Sequence, residues 1–315
     1  MDLTPQAAFA LPDGYCVRPP RMEDAQVVLA LLNACDVAEY GEPDSDLEDF
    51  IFDWESADLV RDAWLVDAPD GSLAGYGLVS HWSGGFQADF YARPALQEIG
   101  LQGWLLEQCE RRLREMLASL VDVPPQVSAF AAHVNQADRD ALNEAGYAPK
   151  KYHFRMQIDM TERPPEPEWP DGCYLRAFHP GEDDEELYRF IQTAFDAPGR
   201  TPPLFEEWRD FMMRPDHFVP DLWFLLYSQG NLVGTAVCYD YGPYGWVRHL
   251  AVADDRRRQG IGSALLRHVF GEFYLRGKMR VALGVEASNE NAYRLYERVG
   301  MRRVRQFDEY HKQIG

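Results

Sequence analysis

No C-x-x-C pair occurs in this 315-residue chain, and its five cysteines, Cys16, Cys35, Cys109, Cys173 and Cys238, stand far apart. That scatter argues against a zinc site and against a disulfide framework, and it reads as reduced thiols in a cytoplasmic protein. No metal is expected. No apolar run approaches the roughly 18 residues that span a bilayer. The first ten residues lack the basic start and long apolar centre of a signal peptide. Positive charge is also short: 31 Lys and Arg against 51 Asp and Glu leave a formal net charge of −20. Nucleic-acid binding rests on neutralising phosphates with basic side chains, so neither nucleic acid nor membrane is an expected partner. The acid excess reads as a solvated surface, or as a field that attracts a cationic amine. Hydrophobic residues make up 46% of the chain, too many for disorder, and the length suits two domains.

What is present is a repeat. Asp13-Gly14-Tyr15-Cys16-Val17-Arg18 parallels Asp171-Gly172-Cys173-Tyr174-Leu175-Arg176. Trp64-Leu65-Val66, followed by Gly71 and Gly75, parallels Trp223-Phe224-Leu225, followed by Gly230 and Gly234. Gly100 matches Gly260, and Gly146-Tyr147 matches Gly300-Met301. Each copy is domain-sized, which indicates a tandem duplication and not a solenoid. The expected division is a first domain over 1–160, a proline-rich linker over 161–170, and a second domain over 171–315. The four prolines of the linker predict an extended, semi-rigid segment. Each copy reads strand, two helices, hairpin, strand, long helix, strand, short helix and closing strand. The strand Tyr152 to Ile158 is expected to finish the first copy, and Met301 to His311 the second.

One stretch of the second copy carries chemistry. Trp246 to Val252 is a short apolar strand, and Leu265, Leu266, Val269, Phe270 and Phe273 recur at helical spacing. Between them, Arg256-Arg257-Arg258-Gln259-Gly260-Ile261-Gly262-Ser263 turns strand into helix. The first N–H groups of a helix lack internal partners and carry the positive end of its dipole, so they suit a phosphate. Gly260 and Gly262 lack a Cβ and let an anion approach the main chain. The loop has no G-K-S/T ending, which excludes an ATP-type phosphate loop, and its glycines do not form G-x-G-x-x-G.

The order of residues from Arg257 to Gly262 resembles the Q/R-x-x-G-x-G/A signature of the GNAT superfamily of acyl-CoA-dependent N-acyltransferases. The preceding Leu250-Ala251-Val252 and the following Ser263-Ala264-Leu265-Leu266 are similar to that family too. The resemblance implies an α/β protein of two tandem GNAT domains, each a mixed, mostly antiparallel sheet flanked by helices. It implies acetyl-CoA as cosubstrate, with its pyrophosphate cradled by Arg257, Arg258, Gln259, Gly260, Ile261, Gly262 and Ser263. The segment Asn289 to Glu297 resembles the family's N-x-x-A-x-x-L/F-Y run. Tyr296 is then the catalytic residue, a general acid for the departing thiolate, or else a core tyrosine. Asn289 contacts the pantetheine arm, or caps a turn. Main-chain N–H groups near Leu250 and Val252 polarise the thioester carbonyl.

The first copy departs from the signature. Its counterpart loop is Gln97-Glu98-Ile99-Gly100-Leu101-Gln102-Gly103, with Gln102 opposite Gly262, Glu98 adding negative charge, and no match to the arginines. A degenerate first domain without coenzyme is expected. The second copy also departs, because Trp246 and Arg248 stand where many members carry a Glu or His base. His249, Glu286 and Tyr244 remain as candidates. The expected activity is acetyl transfer to a primary amine of a small molecule by a monomer or homodimer. The alternatives are a non-catalytic acyl-CoA-binding module, or aminosugar acetylation of the kind catalysed by mycothiol synthase, whose two fused copies this architecture resembles.

Overall fold

The computed structural model describes residues 11–82, 85–118, 125–197, 200–213 and 217–315. They divide into two compact units, Met1–Tyr152 with Gln306–Gly315, and His153–Arg305.

The first unit contains β1 (Cys16–Arg18), α1 (Ala25–Tyr40), α2 (Leu47–Glu55), a single turn α3 (Leu59–Asp62), β2 (Ala63–Asp67), β3 (Leu73–Trp82), β4 (Gly85–Ala92), α4 (Leu101–Leu117), β5 (Gln126–Ala132), α5 (Gln136–Glu144) and the start of β6 (Ala148–Asp159). Its sheet runs β1-β2-β3-β4-β5, and the end of the last strand of the chain, β12 (Arg302–Gln313), closes it through Phe307–Ala132 to Gln313–Gln126. Every pairing is antiparallel except β4 with β5.

The second unit holds β7 (Cys173–Ala177), α6 (Asp184–Ala194), α7 (Phe205–Met212), β8 (Phe218–Ser228), β9 (Asn231–Asp240), β10 (Gly245–Val252), α8 (Ile261–Leu275), β11 (Arg280–Glu286) and α9 (Glu290–Arg298). Its sheet runs β7-β8-β9-β10-β11, closed by residues 153–159 of β6 against β11. Again one pairing, β10 with β11, is parallel. The two sheets therefore share one topology, as the repeat predicts. The closing strands differ from expectation. Residues 153–159 complete the second sheet and residues 307–313 complete the first. Local pattern specifies a strand but not which sheet edge it joins, because each edge offers the same row of N–H and C=O groups.

Each sheet is covered on both faces, which explains the near-continuous apolar runs of β8 and β9. In the second unit α8 and α9 pack on one face with Phe224, Leu226, Val247 and Leu283, and α6 and α7 pack on the other with Trp223, Leu225 and Val237. A glycine seats the long helix in each unit. A Cβ on Gly234 would lie 3.0 Å from Ile261, and one on Gly75 would lie 2.7 Å from Leu101. The paired glycines of the repeat thus mark where the first turn of a helix approaches the sheet. The proline-rich segment lies along α8, where Arg163 to Pro167 and Arg267, His268, Gly271 and Glu272 line one small cavity.

Candidate functional site

The parallel strands of the second unit part company halfway along. β10 and β11 pair from Gly245–Val281 to Val247–Leu283 only. Beyond that point β10 stays paired with β9 as far as Val252–Gly234, and β11 stays paired with β6 as far as Glu286–His153. The strands are zipped on their outer edges and open between. The break coincides with a bulge at Arg248, between Val247 and His249, and bulges bend a strand. The Ala253 N–H donates to Val233 O of β9 at 3.0 Å. Alternation along the ladder then turns the N–H groups of Leu250 and Val252 toward the gap. They are two donors spaced along an open edge, next to a turn into a helix.

That turn ends in an uncapped helix. Gly260, at φ +85°, is the N-cap of α8 and contributes no side chain to it. The first i to i−4 bond is Ala264 N–H to Gly260 O at 3.0 Å, so the N–H groups of Ile261, Gly262 and Ser263 precede the ladder. A Cβ at Gly260 would meet nothing within 4 Å, so the space beside it is open. Arg258 is held at φ +63°, a costly conformation for a residue with a side chain, and its guanidinium makes no ion pair with a described residue. Arg257 is committed to the loop itself, 2.6 Å from Asp254 and 3.3 Å from Val252 O. Gln259 donates to Asp255 O at 3.2 Å. Uncapped amides, an open approach and an unpaired arginine fit a diphosphate.

Gly262 has a packing reason beside the one its motif suggests. A Cβ there would lie 3.0 Å from Leu295 Cδ2 of α9. The glycine lets two helices meet.

The α9 helix follows β11 and brings Tyr296 into the core that contains Leu250, Val252 and Val285. Tyr296 is buried, its hydroxyl bonds to no described residue, and burial pushes its phenol up to about 12. The group stays protonated at neutral pH and has a hydrogen bond to give. Asn289 is the N-cap of α9, its Oδ1 accepting from Ala292 N–H at 3.2 Å. Asn289 is exposed, and its amide nitrogen makes no hydrogen bond to a described residue.

The base candidates separate on burial and charge. His249 lies on the α6 side of β10 with its ring 5.5 Å from Phe195. Burial first, then the charges of Arg248 and Arg200, lower its imidazole to about 3. An imidazole that weak is a poor base: taking a proton from an alkylammonium near 10 is uphill by roughly 10 kcal/mol. Glu286 ends β11, its carboxylate bonded to the Ser288 hydroxyl. Tyr244 stacks on Tyr241 at 5.4 Å, and Arg155 lies over Tyr244 and Trp246 at 4.9 and 5.2 Å. The gap, the bulge and Arg200 were not legible beforehand. A bulge here has no sequence signal of its own, and Arg200 lies far along the chain from β10.

The first unit keeps the gap but fills the turn. β4 and β5 pair only at Phe86–Val127 and Gln87–Ser128. Gly100, at φ +74°, is the N-cap of α4, as Gly260 is of α8. Gln102 is buried and its Nε2 donates to Asp138 Oδ1 at 3.3 Å. Asn135 Nδ2 donates to Asp138 Oδ2 and Glu39 Oε1, both at 2.8 Å. Burial, with Glu39 nearby, raises Asp138 to about 7 against the opposing bond from Gln102. Two carboxyls and two amides thus form one network at the first turn of α4. The side chain of Glu98 lies outside the described residues.

Residues 184–301 match the Acetyltransferase (GNAT) family. A mycothiol acetyltransferase of Thermomonospora curvata is 31% identical over 77% of this chain and 80% of its own length. The chain belongs to the GNAT family of acetyltransferases. A GCN5-related N-acetyltransferase from Sphaerobacter thermophilus superposes with a TM-score of 0.85 at 33% identity, covering 97% of both chains. A tandem GNAT protein from the clavulanic acid biosynthesis pathway shares the fold, with a TM-score of 0.71 at 13% identity over 96% of this chain and 99% of its own. This GNAT protein is therefore an acetyltransferase that takes its acetyl group from acetyl-CoA. None of its helices among the described residues is long and apolar enough to cross a membrane.

Proposed function

We propose that this acetyltransferase works from one site, in its C-terminal unit, and transfers acetyl to a primary amine of a small molecule. The observation that carries the reading is the open edge of β10, with two N–H groups facing the gap, leading into the uncapped start of α8. The amides of Ile261, Gly262 and Ser263, with Arg258, hold the diphosphate, while Gly260 keeps the approach clear. Arg257 and Gln259 act by holding the loop in shape. The N–H groups of Leu250 and Val252 hold the carbonyl oxygen and stabilise the negative charge it gains. Asn289 has its amide nitrogen available for the pantetheine arm. When bound, acetyl-CoA supplies an acyl thioester.

Tyr296 keeps a proton at its phenol oxygen and donates a hydrogen bond to sulfur as the carbon–sulfur bond breaks. Burial makes it a weak acid, so the stabilisation comes from the hydrogen bond, and the proton lost by the amine completes the thiol. Trp246 and Arg248 accept no proton and His249 is too weak a base, which leaves Glu286, Tyr244 or water to take the proton of the amine. The first unit carries no coenzyme, because Gln102, Asp138 and Glu39 take the place of an anion and oppose its charge. The duplicated lengths are 1–160 and 171–315, with 161–170 as the joining segment. Free thiols at all five cysteines support a cytoplasmic location.

Calorimetry with acetyl-CoA, followed by thiol release on a panel of amines, tests this reading. One coenzyme per chain and amine-dependent thiol release are expected; binding that survives Gly260→Val with Arg258→Ala would refute the site. A mycothiol-related acceptor is the second reading, favoured by the relatives that bear that name.

A further inference from the structure

The face of the gap opposite α8 is unexpectedly cationic. Arg248 stands on the bulge of β10, exposed, with its guanidinium 5.3 Å over the ring of Phe211 on α7. Arg200 lies in the segment between α6 and α7, also exposed, and its side chain donates to Gln192 Oε1 at 2.5 Å. Neither is ion-paired with a described carboxylate, Asp196 of the same segment included. His249 lies near both, and its neutral ring has no acidic group among the charges that act on it. In a chain of net charge −20, two guanidinium groups without an acidic partner among the described residues, beside one neutral imidazole, mark a place built for an anion.

We propose that the acceptor is an amine that also carries a carboxylate, of the amino-acid class, and that Arg248 and Arg200 hold that carboxylate while the amino group faces the gap. This rests on the transferase reading above. The guanidinium fork matches a carboxylate in two parallel hydrogen bonds, and it fixes orientation as well as charge. Fixing the carboxylate positions the adjacent amine for attack, which lowers the entropic part of the barrier. The aromatic ring under Arg248 and the ring of Phe195 against His249 leave apolar surface for an acceptor side chain. A polyamine offers only positive charge to these arginines and is repelled, and an aminosugar offers them hydroxyl groups but no carboxylate.

The test measures acetyl-CoA-dependent thiol release with amino acids and with the same amino acids as C-terminal amides. The acid form is expected to show a kcat/KM at least about tenfold above its amide for the preferred side chain. Arg248→Gln and Arg200→Gln should each lower that acid-to-amide ratio by roughly tenfold or more, and Arg248→Lys should restore part of it. Thermal unfolding checks that the variants fold. Amides as good as acids, a ratio unmoved by both substitutions, or turnover confined to amines without a carboxylate would overturn the proposal. If coenzyme A binds but no amine is acetylated, the transferase reading fails instead. Equilibrium binding of the amino acid and its amide to the protein–coenzyme A complex then decides this one: a tenfold preference for the acid supports it and equality overturns it.

Discussion

Gly262 offers the sharpest test of how this site is built, because two effects of known size oppose each other there. Its φ is not left-handed, so alanine is conformationally welcome and gains roughly 0.5–1 kcal/mol of helix propensity. The added Cβ would sit 3.0 Å from Leu295 Cδ2, closer than carbon atoms pack, and overpacking costs about 1–3 kcal/mol. Leu295 is only half-buried, so it gives way in part and the cost falls at the lower end. Gly262→Ala alone should therefore fall between neutral and about 1 kcal/mol destabilising. With Leu295→Ala as background the clash is gone, and the same substitution should become stabilising by about 0.5–1 kcal/mol. The coupling is then roughly 1–2 kcal/mol, read by a double-mutant cycle in urea or thermal unfolding. The first unit has already made the compensating exchange: Gln102 stands for Gly262, and Ala141 for Leu295. Gly262→Gln with Leu295→Ala should accordingly fold yet bind coenzyme A at least about tenfold more weakly than wild type. If Gly262→Ala shifts stability equally in both backgrounds, the packing account is wrong and only ligand approach explains the glycine.

Further outcomes follow from the same geometry. Tyr296→Phe should lower kcat by roughly ten- to a hundred-fold while coenzyme affinity from calorimetry stays within about twofold, since the lost hydrogen bond acts on the departing sulfur; equal loss of both would contradict that role. Coenzyme A should titrate to one site per chain, and Gln102→Gly in the first unit should leave that stoichiometry unchanged because Asp138 and Glu39 remain; two sites in the wild type would refute a degenerate first unit. Asp138 titrates in the fold near 7 against an ordinary value of 3.8, so folding takes up a proton between those limits and stability falls as pH rises through 7. The full effect is about 4 kcal/mol at most, and Asp138→Asn should lose less stability than wild type between pH 5 and 8. Asp89, pushed up to about 6 by burial, keeps a residual slope in the variant. Identical pH profiles would remove the burial argument.

Much of this protein is written in local pattern. Residues recurring at period two or near 3.6 specify strands and helices because burying one face is what stabilises each. The turn Arg257 to Gly262 names its own chemistry, since a left-handed glycine at a helix start leaves donors unpaired wherever it occurs. The repeat announced two similar units, and glycines at matching places marked where a helix meets a sheet. Three decisions belong to the tertiary structure alone. Which sheet each closing strand completes depends on edges formed by residues far away in sequence. The gap between β10 and β11 coincides with a bulge, one residue out of register with β9, which composition does not reveal. The face of positive charge at Arg248 and Arg200 exists because folding brings a loop and a strand together and leaves their arginines without an acidic partner among the described residues. Local sequence sets what each segment favours; long-range contact sets which unpaired groups face the same space.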